Sequence, residues 1–113
     1  MRGRGNIKLN EYQKLAMVTA NKLTKDELIE NGVLGLNGEA GEVADVLKKH
    51  KFQGHELDRN NLVNELGDVL WYCAILAEGL GVGLEEVAAK NVLKLKKRYP
   101  QGFDSDKSIN RSD

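Results

Sequence analysis

Four acidic residues of this chain stand in two matched pairs. Glu39 and Glu42 are three apart within LNGEAGEV at positions 36–43, and Glu65 and Asp68 are three apart within LVNELGDV at positions 62–69. At ~100° per residue, positions three apart share a helix face, so each pair projects from neighbouring points of its own helix. Each pair also lies to the same side of an apolar stripe, Leu36/Ala40/Val43/Leu47 in one segment and Leu62/Leu66/Val69/Cys73 in the other. Antiparallel packing of the two stripes brings the four carboxylates together. Like charges held that close repel, and they are stabilised by protonation or by a bound cation. An all-carboxylate, hard-oxygen donor set favours Mg²⁺ or Mn²⁺ over zinc, and Mg²⁺ typically shares its shell with water and substrate phosphates. One such pair alone reads as ordinary solvated acids on an amphipathic helix. The echo of both pairs, each with a glycine between its acids (Gly41 and Gly67), favours a metal site. A mid-helix glycine costs roughly 1 kcal/mol relative to alanine, which close approach of another helix or a local bend would explain.

A second set is Asn91, Lys94 and Arg98, spaced by three and four, with Lys97 beside them. This face suits a polyphosphate held next to the metal; equally, the lysines neutralise a helix C-terminus. Trp71 and Tyr72 fit either base stacking or a core. No phosphate loop of the G-x-x-x-x-G-K-[ST] type occurs, and no Ser-His-Asp or Cys-His arrangement can be assembled, which argues against covalent catalysis. A ferritin-like di-iron centre needs Glu-x-x-His, and neither His50 nor His55 has a glutamate three residues before it.

The elements that must position these residues are helical. A single proline, Pro100, and 5% aromatics leave little from which to build a sheet, so the pattern predicts an all-α, four-helix bundle. Helix one is expected from Asn10, capped by Asn10 with Gln13 as reciprocal partner, to near Lys22, with Leu15, Val18, Ala20 and Leu23 as its face. Helix two is expected from about Asp26, with a loop over positions 50–56. Helix three follows an Asp58 cap and carries the stripe Leu62, Leu66, Val69, Cys73, Leu76 and Leu80 before Gly81. Helix four opens on Glu85 and Glu86 and stops before Pro100. Positions 1–9, with Arg2, Arg4 and Lys8 among glycines, read as a flexible lead-in, positions 10–103 as the domain, and positions 104–113 as a flexible polar tail.

Length and composition set the outer limits. A chain of 113 residues suits one core. Lys plus Arg and Asp plus Glu both number 17, so no net field points to nucleic acid, and 30% charged residues argue against a membrane span. Cys73, alone, excludes an internal disulfide and reads as core rather than nucleophile, and with no apolar N-terminal stretch the expected compartment is the cytoplasm.

The chain resembles the MazG-like nucleotide pyrophosphohydrolases of the all-α nucleoside triphosphate pyrophosphatase superfamily, over roughly Leu9 to Phe103. The resemblance rests on GLNGEAGEVADVLKK at 35–49, ELGDVLWYCAILA at 65–77 and KNVLKLKKRYPQGF at 90–103. It implies that Glu39, Glu42, Glu65 and Asp68 hold Mg²⁺, with catalysis carried by the same acids. It implies that Asn91 and Lys94 face the phosphates, with Lys97 and Arg98 carried over less directly. It further implies a homodimer or homotetramer that buries the residual apolar face, and cleavage of a nucleoside triphosphate to monophosphate and pyrophosphate. A non-catalytic helical scaffold, or a narrower enzyme acting on dUTP, dCTP or phosphoribosyl-ATP, are the alternatives.

Overall fold

The computed structural model describes residues 6–110; positions 1–5, including Arg2 and Arg4 of the expected lead-in, and 111–113 of the expected tail lie outside that range. Five helices and no strand occur among the described residues: α1 (Leu9–Val18), α2 (Lys25–Phe52), α3 (Arg59–Gly79), α4 (Leu84–Arg98) and the short α5 (Ser105–Ile109). The expected all-α class is found, and α5, with Asp104 accepting from the Asp106 amide at 2.9 Å, gives the tail a helical turn.

The long antiparallel pair α2 and α3 forms the body. α2 starts on a capping box: the Glu27 amide donates to Thr24 Oγ1 at 3.2 Å and the Thr24 amide donates to Glu27 Oε1 at 2.9 Å. Acids in its first turn and Lys49, His50 and Lys51 in its last suit the helix dipole, which carries the helix through His50 to Phe52 rather than ending it before position 50. α3 starts as expected, with Asp58 Oδ1 accepting from the Asn61 amide at 3.0 Å. It ends before Gly81, whose φ of 75° is the left-handed conformation expected there.

The two helices touch where one or the other has no side chain, at Gly32 and Gly35 of α2 and Gly79 of α3. A Cβ on Gly32 would lie 2.7 Å from Leu76 Cβ, one on Gly35 would run into the Tyr72 ring, and one on Gly79 would lie 2.8 Å from Ile29 Cγ1. Of the two explanations for Gly41 and Gly67, a close helix within the chain is not what is found: both face open space, as does Gly38.

Packing is concentrated at one end. Ala16, Ala74, Ala77 and Leu84 form one buried cluster, and Ala20, Leu28 and Ile75 a second, with Trp71 bordering both. Of the expected α3 stripe, Leu62, Val69, Cys73 and Leu76 are half-buried and Leu66 and Leu80 are exposed, while the fully buried side chains are Ala74, Ile75 and Ala77. The reason is that α1 packs on α3 around Trp71, Ala74, Ile75 and Ala77, in the C-terminal half of that helix, which buries the face turned toward α1 there.

Helix α1 differs from the sequence reading in three ways. Thr19 Oγ1 donates to Ala16 O at 2.7 Å and the helix stops at Val18, short of Lys22. Leu15 and Val18 are exposed, whereas Gln13, Ala16 and Ala20 are buried. Asn10 lies inside α1 and, with Gln13, caps a different helix: Asn10 Oδ1 accepts from the Glu85 amide at 2.9 Å, and Gln13 Oε1 from the Leu84 amide at 2.6 Å. No single helix is long and apolar enough to cross a membrane.

Candidate metal centre

The contacts of Gly32 with Leu76 and of Gly35 with Tyr72 set an antiparallel register between α2 and α3. One turn further along, that register brings Glu39 level with Asp68. Carboxylate oxygens of Glu39, Glu65 and Asp68 lie within 4.8 Å of one another, the only such His/Cys/Asp/Glu group among the described residues. Two of the three are half-buried, and Asp68 is exposed. Oε2 of Glu39 is sealed from solvent with no hydrogen-bond partner.

That oxygen is the test of whether a cation fits. Three acceptors facing one another supply no donor, and a buried acceptor without a donor is costly. The strain appears in the Glu39 carboxyl, which is held above its ordinary range first by a close contact with Glu65 that favours a shared proton. Desolvation and then the charges of Glu65, Asp68 and Glu42 add to this. A hard divalent cation satisfies the same lone pairs without a proton, so the donor set fits one.

Glu42, the fourth expected acid, is outside the triad. It is exposed one turn along α2 and lines, with Glu65, a cleft of about 540 Å³ formed by the end of α2, the following loop and the start of α3. This volume falls in the usual range for small-molecule sites, on the order of 300–1,000 Å³. Asp45, Lys49, His55 and Asn61 also line the cleft, and Lys49 is held by Asp45 at 3.1 Å. None of these was singled out from the sequence. The i, i+4 spacing of Asp45 and Lys49 was visible, but nothing local distinguishes it from a surface pair.

The α4 set lies elsewhere. Asn91 and Lys94 line a shallow depression with Val87 and Lys90, and Lys97 is exposed on the same helix, so within one chain none of them lines the acidic cleft. Arg98 is half-buried near the C-terminus of α4. Tyr72 seats its ring on Gly35 and meets Trp71 edge-on at 5.1 Å between ring centres, and Trp71 Nε1 donates to Thr19 Oγ1 at 2.8 Å. Both aromatics are packing residues in this arrangement. Burial pushes the Cys73 thiol up, away from a reactive thiolate. Burial also raises the Tyr12 phenol, with a further contribution from the charge of Asp68, which puts α1 within electrostatic reach of the acids.

Residues 29–103 match the family described as the MazG nucleotide pyrophosphohydrolase domain. The chain is also similar to the "Gene 37 protein" of Mycobacterium phage L5, at 40% identity over 82 residues, covering 69% of this chain and 72% of that protein. No solved structure matches significantly. All four acids and the four α4 residues fall within the matched segment; α1 precedes it.

Proposed function

The chain belongs to the MazG nucleotide pyrophosphohydrolase family, and from that premise we propose that it hydrolyses nucleoside triphosphates to monophosphate and pyrophosphate with Mg²⁺. The observation that carries this reading is the triad Glu39, Glu65 and Asp68, with its unsatisfied buried oxygen, beside a nucleotide-sized cleft. These three residues hold the cation, with Mn²⁺ as a substitute, and Glu42 joins them from the cleft wall. The bound ion supplies charge neutralisation at the phosphates and acidification of a water. A carboxylate of Glu39 or Glu42, the two acids on α2, would orient a water toward the α-phosphorus and take its proton as the bond from that phosphorus to the pyrophosphate oxygen breaks. Asn91 and Lys94 take up charge on the leaving pyrophosphate, with Lys97 and Arg98 contributing positive potential.

Delivery of α4 to the cleft belongs to a homo-oligomer, a dimer or a tetramer, in this reading. Leu34, Leu47, Val63, Leu66 and Leu70 are exposed on the α2–α3 pair, and Val92, Leu93 and Leu95 on α4. A second copy covers these faces and carries its α4 toward the acids, an arrangement in which basic α4 meets the acidic half of α2 and α3.

The test is pyrophosphate release from a panel of ribo- and deoxyribonucleoside triphosphates in Mg²⁺, Mn²⁺ or EDTA, with identification of the nucleotide product. Metal-dependent monophosphate plus pyrophosphate supports the reading and ranks the narrower substrates, including dUTP, dCTP and phosphoribosyl-ATP. Diphosphate plus orthophosphate identifies a different bond. A chain that binds no divalent cation and turns over nothing is a helical scaffold.

A further inference from the structure

Helix α4 is anchored at its first turn, where Leu84 is buried. It leaves α3 at an angle of 99° across a short corner, and every residue from Ala89 to Lys97 is exposed. What holds the corner is α1. Gln13, the one buried polar residue of the described core, accepts from the Leu84 amide at 2.6 Å through Oε1. Its Nε2 donates to Val82 O at 3.0 Å and to Glu78 Oε1 at 3.1 Å. Asn10 adds a reciprocal pair: its Oδ1 accepts from the Glu85 amide and its own amide donates to Glu85 Oε2, both at 2.9 Å. A Cβ at Gly83 would lie 2.8 Å from Asn10 Oδ1, so the corner is shaped around this contact.

The clasp thus satisfies the amides of Leu84 and Glu85, two of the four that open a helix, with side chains from another element and grips both sides of the α3–α4 corner at once. A change of angle at the root of a helix displaces each later residue by an amount that grows with its distance from the root. Asn91 and Lys94 lie two to three turns from the root. We propose that Gln13 and Asn10 are positioning residues for the pyrophosphohydrolase reaction: by fixing the angle of α4 they set where Asn91 and Lys94 meet the triphosphate, without touching it. This rests on the function proposed above.

The test uses Gln13→Met, which keeps the volume and removes all three side-chain hydrogen bonds, and Asn10→Ala as a surface variant should Gln13→Met fold poorly. Spin labels at Lys96→Cys and Asn64→Cys, in a Cys73→Ala chain diluted into unlabelled protein, report the angle of α4. The distance distribution is expected to broaden in either variant and to narrow again in Asn10→Asp, which keeps the accepting oxygen. In kinetics, Gln13→Met is expected to lower kcat/KM about tenfold, chiefly through KM, because misplacing a binding group by about 1 Å is enough for such losses. The thermal shift produced by Mg²⁺ alone should be unchanged. In a Lys94→Ala background the Gln13 effect should shrink, to what Asn91 alone accounts for, since residues acting through a shared contact are not additive. An unchanged distance distribution, or fully additive kinetic effects, overturns the clasp. Parent-like kinetics in Lys94→Ala overturn instead the phosphate role given to α4, which separates the two failures.

Discussion

The two ends of the α2–α3 pair are built on opposite terms. At the end that α1 and α4 share, glycines at positions 32, 35 and 79 admit close contact, Ile75 is fully buried, and Gln13 has every polar atom partnered. At the other end two helices stand without a third layer, Leu47, Val63 and Leu66 face outward, and the three facing carboxylates include an oxygen with no partner. Both ends come from continuous helices of 28 and 21 residues. The contrast teaches that the packed end supplies stability and register, and the sparse end uses that register to hold groups that repel one another.

The sharpest way to break this comparison is at the acids. Asp68→Asn should lower kcat more than about 100-fold, as loss of a charge-stabilising group in a metal site does. The same change relieves repulsion, so the metal-free chain should melt no lower than the parent by circular dichroism; a large fall in melting temperature would make the acids structural. At the packed end, Ile75→Ala should destabilise the fold by about 2–5 kcal/mol in urea unfolding. Leu66→Ala in the sparse end, which leaves little cavity in one chain, should cost far less under conditions that keep the chain monomeric. Equal costs would erase the distinction between the two ends.

A smaller pair of substitutions tests the same idea within one helix. Gly35→Ala drives a methyl into Tyr72 and should destabilise by about 1–3 kcal/mol. Gly41→Ala meets open space and should stabilise the monomer by up to about 1 kcal/mol. The smallest effect is in pH. Because the Glu39 carboxyl is raised in the fold, its contribution to stability is present at low pH and is lost as pH rises through the raised value. Mg²⁺ competes with that proton, so its thermal stabilisation should grow as pH rises through the raised value. A gain independent of pH would remove Glu39 from the ligand set.

Most of the elements were legible from local chemistry. The caps at Asp58 and Gly81, the acidic start and basic end of α4, and the three-residue spacing of the paired acids all act within a few positions of themselves. The Thr24–Glu27 capping box is equally local, and it starts α2 at Lys25, one residue before the expected Asp26. The clasp was not legible. Asn10 and Gln13 have the spacing of an ordinary helix start, yet their partners lie 65 to 75 residues away. Likewise the interrupted run of glycines in α2 gives no hint which two of them meet α3, because that depends on the crossing of the helices.

By itself the sequence determined the all-α class, the number and approximate span of the main helices, and the paired acids whose repulsion calls for a cation. It did so because caps, dipoles and charge spacing are short-range effects. Only the tertiary structure decided that Glu39, Glu65 and Asp68 converge while Glu42 turns to the cleft, and that α1 clasps the root of α4. The convergence of the acids follows from the register set at Gly32 and Gly35, and the clasp from the packing of α1 across the α3–α4 corner; both join residues more than thirty positions apart, which no local pattern encodes.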